Sequence, residues 1–226
     1  MRAVLVLPPS LRPVVIAAEC FAVILRRCAA ILIAGVAATL PVSRVSAIEA
    51  LLLQDTYVDN GTNGSEPPNI SNYGSGMDLR VFKGNGRLGR SFLKFSLDTL
   101  PTETTGADVI LARLRLWVNA NTTAAGTVRL KAVTMEWDEY KLTDTTASTL
   151  IFGEPLLRDL AIDSMNSFVS IDVTLWVKAW LDHRLLNEGI VIEPGADTDF
   201  LDLSFDSKES DRTSHEARLE ITLRNR

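Results

Sequence analysis

The sequence predicts an all-β protein in which two antiparallel sheets pack together or one sheet closes into a barrel, with one short helix near residues 174–184. Beyond residue 50 the apolar residues recur mainly with a period of two, in short segments separated by Gly, Asn, Asp and Pro clusters. A single segment around Trp176 has helical spacing instead.

The first 47 residues are interpreted as a secretory signal peptide. Arg26 and Arg27 precede an apolar run at 28–40, and Val45-Ser46-Ala47 provides a small-residue cleavage site. Neither apolar run in this segment reaches the roughly 20 uninterrupted residues of a spanning helix. We therefore expect cleavage after Ala47, one domain at 48–226, a secreted or cell-surface location, and no membrane contact after signal removal. A retained N-terminal anchor is the alternative.

The charge of the remaining chain differs from that of the whole. Five of the 23 basic residues, one of the 28 acidic residues and both cysteines lie in the first 47 residues, so the rest has 18 basic and 27 acidic residues, a formal charge of −9. Nucleic acid is an improbable partner for such a surface. The absence of cysteine from 48–226 excludes a zinc-thiolate site, a cysteine nucleophile and a disulfide framework.

Nine segments have the alternation or composition of strands. In chain order they are Leu51–Val58, Met77–Lys83, Ser91–Ser96, Ala112–Asn119, Thr127–Val133, Phe168–Val173, Gly189–Glu193, Leu201–Phe205 and Ala217–Leu223. Turn dipeptides such as Asn60-Gly61, Asn85-Gly86 and Pro194-Gly195 lie between them. So many short strands in one domain require two packed sheets or a closed barrel.

The predicted helix follows the sixth of these strands. Val173, Trp176, Val177, Trp180 and Leu181 have i, i+3, i+4, i+7, i+8 spacing, so both tryptophans are expected to lie in the core. Thr174 is the expected N-cap, and Gly189 returns the chain to a strand.

The order of several short motifs resembles a known family. They are Gln54-Asp55-Thr56-Tyr57-Val58, Asn72-Tyr73-Gly74, Arg90–Leu97 with Leu100-Pro101, Ala112–Leu116, Glu136–Glu139, Asp172-Val173-Thr174 with Val177 and Trp180, Asn187-Glu188-Gly189, and Phe205–Glu209. Together they resemble the DNRLRE-type domain, or carbohydrate-binding module family 96, over about residues 51–224. The six-letter string that gives the domain its name is absent here.

The resemblance implies a secreted, non-catalytic β-sandwich of jelly-roll kind. Such modules accompany polysaccharide lyases and other surface proteins, and uronate-rich glycans such as alginate are among their ligands. An acidic polysaccharide is therefore the expected partner.

Six cations alternate with the expected core residues of four strands, and Trp117 follows two of them. If these strands are neighbours, the cations form a basic stripe suited to carboxylates, beside an indole that can stack on a sugar ring. The candidate glycan-binding residues are Arg80, Lys94, Arg113, Arg115, Trp117, Arg129 and Lys131. Alternatively these side chains form an ordinary sheet face, paired with acids such as Asp78, in a structural or adhesive domain without a glycan ligand.

Other candidate sites are less specific. Trp137, in an acidic corner, is a second possible sugar platform, although the family resemblance implies a packing residue at this position. Oxygen ligands for a structural calcium ion could come from residues 59–64 or from Asp197, Asp199, Asp202, Asp206 and Glu209, although neither stretch has EF-hand spacing. No phosphate loop or HExxH motif occurs, and His183 and His215 have no sequence context of a catalytic triad, so a small polysaccharide-degrading enzyme is the least favoured alternative.

Overall fold

A computed structural model of the chain describes residues 46–61, 70–121, 126–155, 159–212 and 214–224. All of them belong to one compact unit, Ser43–Arg226. The predicted signal peptide lies outside the described residues except at its end, where the first strand already begins at Ser46, before the expected cleavage point. Among the described residues, no helix has the length and apolar character needed to cross a membrane.

All nine predicted strands are present, and two further short strands follow the fifth. The strands are β1 (Ser46–Asp59), β2 (Asp78–Gly84), β3 (Arg87–Ser96), β4 (Val109–Asn121), β5 (Thr127–Val133), β6 (Phe152–Pro155), β7 (Leu160–Ala161), β8 (Ser167–Asp172), β9 (Ile190–Pro194), β10 (Leu201–Asp206) and β11 (Arg218–Leu223). The strands β6 and β7 lack a clear period of two, which explains why the alternation did not predict them.

The strands form a two-sheet antiparallel β-sandwich of jelly-roll kind, which confirms the predicted fold class. Their pairing order is β1-β11-β4-β10-β2-β3-β9-β5-β6, with β8 added to β4 and β7 to β5. The first part of β1, up to Ala50, pairs with β11, and its second part, from Leu51, pairs with β3; a register shift between Leu52 and Gln54 lies within this second ladder. One strand thereby takes part in two separate ladders.

The helices differ in part from the prediction. The helix at 174–184 is present but shorter, Thr174–Leu181, and its N-cap is Val173 instead of Thr174. Asp172 accepts a hydrogen bond from the backbone N–H of Thr174 (2.9 Å), while the Thr174 hydroxyl accepts one from Ala112 N on β4 (2.9 Å). In chain order this helix is α2, because an unpredicted single turn, α1, occurs at Asp144–Ala147, and a 3₁₀ turn at Gly106–Asp108.

The main core lies between the sheets. Its members are the inward residues of the alternating strands together with the apolar stripe of α2; Trp176 is 5% and Trp180 4% exposed, which confirms their assignment to the core. The outward position of every candidate cation follows from the same alternation, because its neighbours Leu79, Leu93, Leu114 and Leu130 are buried.

A smaller second core covers part of the outer surface of β3, β5 and β9. Residues of 134–152 pack there on Phe92 and Val191, and Trp137 is among them. Trp137 is 6% exposed and its Nε1 donates to the Glu188 carbonyl oxygen at 2.7 Å. The prediction of Trp137 as a sugar platform is therefore wrong, since its ring is an anchor for this segment.

Candidate functional site

The predicted basic stripe is not one continuous surface. Strands β4 and β5 are separated in the pairing order by β10, β2, β3 and β9. Arg113 and Arg115 on β4 are consequently remote in the sheet from Arg129 and Lys131 on β5. The condition for the stripe, that all these strands are neighbours, is therefore not met.

Five of the six candidate cations form ion pairs with nearby acids. The pairs are Arg80–Asp202 (3.0 Å), Lys94–Glu188 (2.6 Å), Arg115–Glu220 (2.7 Å), Arg129–Asp159 (2.6 Å) and Lys131–Glu193 (2.6 Å). Within the described part of the chain, Arg113 has no such pair, and its side chain is exposed. Asp78, suggested as a neutralising acid, instead accepts a hydrogen bond from Asn119 and lies 3.8 Å from Arg212.

The outer surface of β4 carries an aromatic cluster. The Trp117 ring stacks on His215 with centroids 3.9 Å apart, and Phe168 of β8 meets Trp117 edge-on at 5.1 Å. The Arg115 guanidinium lies 4.5 Å above the Phe168 ring. One face of the Trp117 indole is thus already occupied by His215, which limits the stacking of a sugar there.

A second group of cations and aromatic rings lies around the β2–β3 hairpin. Two adjoining depressions, of about 220 Å³ and about 300 Å³, share four lining residues of the hairpin, Lys83, Gly84, Asn85 and Arg87. The first is also lined by Arg80, Phe82, Phe200, Leu201 and Asp202, and the second by Gly86, Leu88 and Asp199. We call this region the hairpin cleft. Of the seven candidate residues, only Arg80 lines it.

The turn that shapes the hairpin cleft follows directly from the sequence. Asn85 (φ 52°) and Gly86 (φ 76°) both have left-handed conformations, as a two-residue hairpin turn requires. The end of β1 secures this turn: Asn60 Nδ2 donates to the Gly86 carbonyl (3.1 Å) and Asn60 Oδ1 accepts from Leu88 N (2.7 Å). Asp59 accepts from Arg87 Nη2 at 2.5 Å.

These contacts bear on the calcium prediction. Asp59 and Asn60 use their side-chain oxygens to hold the hairpin, and residues 62–64 of the proposed loop lie outside the described residues. Of the later acids, Asp202 pairs with Arg80, and Asp206 accepts from Asn119. Calcium binding stays a prediction.

Two glycines position the aromatic rings of the hairpin cleft. A Cβ atom on Gly89 would lie 2.2 Å from Phe82 Cε1, and one on Gly84 would lie 2.8 Å from Phe200 Cδ1. Each ring therefore packs directly on a glycine backbone, and Gly84 has in addition a φ of 147° that favours glycine. Phe82 is buried, whereas Phe200 is 55% exposed.

The cations of the hairpin cleft differ in how far they are already bound. The guanidinium groups of Arg80 and Arg87 lie over the Phe82 ring at 5.1 and 4.8 Å from its centroid. Both also pair with an acid, whereas Lys83 has no ion pair among the described residues. Lys83 is therefore the cation with unused capacity for an anion.

A tyrosine pair lies beside these arginines. Tyr57 and Tyr73 stack with centroids 4.2 Å apart and an interplanar angle of 18°. Burial raises the pKa of Tyr57, and the neighbouring Tyr73 adds to this, while Arg80 and Arg87 act in the opposite direction. The pair is thus close enough to Arg80 and Arg87 for their charges to act on Tyr57.

Sequence reasoning missed Lys83, Arg87, Phe82 and Phe200. A signal existed for the first two, since Lys83-Gly84-Asn85-Gly86-Arg87 places a cation on each side of a hairpin turn. Phe200 follows Asp197-Thr198-Asp199 and carries no periodic signal, so its place beside Gly84 depends on tertiary structure alone.

A third group of charges is buried where the chain segments after β5 and β10 meet β1. The Lys208 ammonium group contacts Glu139, lies 2.5 Å from Glu209 Oε1 and lies 3.6 Å from Asp55 Oδ1. We call Asp55, Glu139, Lys208 and Glu209 the Lys208 cluster. Asp55 is 1% and Glu139 4% exposed.

The Lys208 cluster has three carboxylates for one ammonium group, and the pKa values reflect this excess. Burial raises the pKa of Asp55 to about 8, against the lowering effect of a hydrogen bond from Lys208 N. Burial alone would lower the pKa of Lys208, but hydrogen bonds to Glu139 and Glu209 raise it above its ordinary value. The ammonium group stabilises the charged form of Asp55 less, because the carboxylates of Glu139 and Glu209 lie closer to it. Burial therefore has the largest effect on the pKa of Asp55.

The same three carboxylates are close enough together to coordinate a metal ion, with ligand atoms within 4.8 Å of one another. In this structure their common neighbour is the Lys208 ammonium group, which supplies the positive charge. The cluster therefore joins three segments of chain by ion pairs.

Comparison with known proteins identifies the chain at the level of a family. The model of carbohydrate-binding module family 96 matches residues 48–222. A search of the curated proteins found no match.

Proposed function

Because the chain belongs to carbohydrate-binding module family 96, we propose that it is a secreted, non-catalytic module that binds an acidic, uronate-rich polysaccharide through the hairpin cleft. The family supports a carbohydrate as the partner. The acidic character of the ligand and the location of the site are proposals that rest on the residues of the cleft. Secretion rests on the sequence pattern of residues 1–47.

The observation that carries this proposal is that three cations and a solvent-exposed aromatic ring line the same depression. Arg80, Lys83 and Arg87 all line the first depression, together with Phe200. Guanidinium groups bind carboxylates in a bidentate manner, and an ammonium group adds a point charge. A uronate offers both features that this surface can bind, a carboxylate and a sugar ring.

Lys83 is the strongest single contact in this proposal, because among the described residues no acid forms an ion pair with it that a ligand would have to replace. Arg80 pairs with Asp202, which is 39% exposed in its side chain, so water screens that pair and a ligand carboxylate can share the guanidinium group. Arg87 is held more firmly, since Asp59 is only 8% exposed in its side chain. Arg113, Arg115 and Trp117 on β4 would be a subsidiary contact surface.

The alternative is a structural or adhesive surface domain without a glycan ligand. The ion pairing of Arg80, Lys94, Arg115, Arg129 and Lys131 favours it, because these side chains need no ligand to be satisfied. Lys83 and the exposed Phe200 are not explained by that alternative.

Affinity electrophoresis in native gels that contain alginate, pectin or a neutral glucan tests the proposal. We expect the acidic gels to retard the protein and added salt to weaken the effect. Lys83→Gln and Arg80→Gln should each weaken binding about tenfold, with melting temperatures within a few degrees of the parent protein. Lys141→Gln, at an 81% exposed side chain outside the cleft, is the matched control.

If no glycan retards the protein, the binding proposal fails. If only the neutral glucan does so, carbohydrate binding stands and the acidic specificity is wrong.

A further inference from the structure

Phe200 differs from the other phenylalanines that the structure describes. It is the exposed one, at 55%, while Phe82, Phe92, Phe95 and Phe205 are 5% exposed or less and Phe152 and Phe168 are half-buried. An exposed ring usually costs little on a protein surface and needs no explanation by itself. Its position in the hairpin cleft, beside three cations, is what sets it apart.

The ring of Phe200 is fixed in place although it is exposed. One side lies against the Gly84 backbone, where a Cβ atom would come within 2.8 and 3.2 Å of its Cδ1 and Cε1 atoms. The residues on both sides of Phe200 are held in place, since Thr198 Oγ1 accepts from Thr127 N of β5 (2.9 Å) and Leu201 begins β10, where it pairs with Lys83 of β2. A ring supported in this way loses little further freedom when a ligand packs on it.

The second aromatic ring of the cleft is not available in the same way. Phe82 is 5% exposed, and Arg80 and Arg87 lie above it within 5.1 Å of its centroid. A sugar could reach its face only after both guanidinium groups moved. Phe200 is therefore the aromatic surface that a ligand can meet directly.

We propose that Phe200 is a stacking platform for the apolar C–H face of a sugar ring, so that the hairpin cleft selects pyranose uronates over polycarboxylates that lack a ring. This inference rests on the proposed function and deepens it. The cations bind carboxylates whatever backbone carries them, so they cannot distinguish a polyuronate from an acidic polypeptide. An aromatic face adds contact area that only a flat, apolar ring surface can use.

The test compares two polyanions that share the carboxylate but differ in the ring. Binding of polygalacturonate, alginate and poly-L-glutamate of similar chain length is measured by isothermal titration calorimetry at one salt concentration, since screening changes with salt. The parent protein should bind at least one polyuronate about tenfold more tightly than polyglutamate. Phe200→Ala should remove this preference and leave the affinity for polyglutamate unchanged, whereas Lys83→Gln should weaken both.

Two further variants distinguish the aromatic character of the Phe200 side chain from its apolar volume. Phe200→Tyr keeps an aromatic face and should retain the preference, while Phe200→Leu keeps apolar volume and should lose most of it. Tyr140→Ala removes an aromatic residue that is 62% exposed outside the cleft and serves as the control.

The outcomes distinguish the two proposals. If a polyuronate binds and Phe200→Ala binds it equally well, or if polyglutamate binds as tightly as the polyuronates, the platform is wrong and the proposed function stands. If neither polyuronate binds the parent protein, both are overturned.

Discussion

Lys83 and Lys208 have the same side chain in opposite surroundings. Lys83 lines the hairpin cleft and has no ion pair among the described residues, whereas Lys208 contacts three carboxylates, of which those of Asp55 and Glu139 are almost fully buried. The first lysine retains its full capacity to bind an anion. The second has exchanged its hydration for contacts that hold β1, the segment after β5 and the segment after β10 together.

This difference indicates which cations of a highly charged protein are available to bind a ligand. A cation whose partners are buried acids contributes to folding, because neither partner can return to water without unfolding. A cation that is partly exposed and unpaired does nothing for the fold that a neutral residue could not do. The number of basic residues on a strand therefore says less about binding than the number of acids within reach of each.

Among the variants that test this comparison, Lys208→Met is expected to have the largest effect on stability. Removal of the ammonium group leaves the carboxylates of Glu139 and Glu209 without their shared counter-charge, and such broken buried pairs cost about 3–5 kcal/mol. Urea unfolding should show a loss of stability of this size. Affinity for an acidic glycan, measured where the variant is still folded, should stay within twofold of the parent value.

The control for that variant is Lys141→Met. Its ion pair with Asp138 lies on the surface, with the lysine side chain 81% exposed, so we expect no measurable change in the free energy of unfolding. Equal stability losses in the two variants would show that the Lys208 cluster is not a buried structural element, and the contrast with Lys83 would disappear.

The two regions also differ in how far the sequence could predict them. The alternation in β2, β4 and β5 placed each cation outward correctly, because a strand fixes the direction of its side chains locally. It could not place β4 and β5 in the pairing order, since the partners of a strand depend on contacts between segments distant in sequence. Phe200 meeting Gly84 and Lys208 meeting Glu139 are contacts between segments distant in sequence, without any local pattern to indicate them.

Three of the short motifs that resemble the family contain the residues of the Lys208 cluster, but the sequence alone does not indicate that these residues meet. Asp55 follows Gln54, Glu139 ends Glu136–Glu139, and Lys208 and Glu209 end Phe205–Glu209. Each motif alone reads as a polar turn or strand end. Only the fold shows that three of them supply the charges of one buried group, which gives a physical reason for their joint presence.

A second effect is expected from pH; over any one pH unit it is smaller than the loss expected for Lys208→Met, and it acts on the buried region alone. Asp55 has a pKa of about 8 in the folded protein and an ordinary value of 3.8 when unfolded, so between these values the folded state holds a proton that the unfolded state has released. Stability from this group is complete below pH 4 and is lost as the pH rises through 8. The slope is at most about 1.4 kcal/mol per pH unit.

Asp55→Asn should flatten the fall in stability between pH 5 and pH 8, measured by urea unfolding at each pH. Asp159→Asn is the matched control: hydrogen bonds from Arg129 lower the pKa of Asp159, so this group affects stability only in more acidic solution. An unchanged slope in Asp55→Asn would mean that Asp55 is ionised at neutral pH, and that Lys208 compensates more of the buried charge than its position 3.6 Å away indicates.

The smallest effect on binding and stability is expected at Lys131, whose surroundings are intermediate between those of Lys83 and Lys208. This lysine tests whether an ion pair, more than the exposure of the side chain, determines if a cation can bind the ligand. Lys131 on β5 is 25% exposed in its side chain and pairs with Glu193 at 2.6 Å. Because that acid neutralises it at the surface, Lys131→Gln should cost less than about 1 kcal/mol of stability and change glycan affinity by less than twofold.

Lys83→Gln is the same substitution at an unpaired lysine, and it should weaken binding about tenfold. If Lys131→Gln weakens binding as much as Lys83→Gln, an ion pair to Glu193 does not prevent a cation from binding the ligand, and the paired residues Lys94, Arg115 and Arg129 become candidates for the binding surface again.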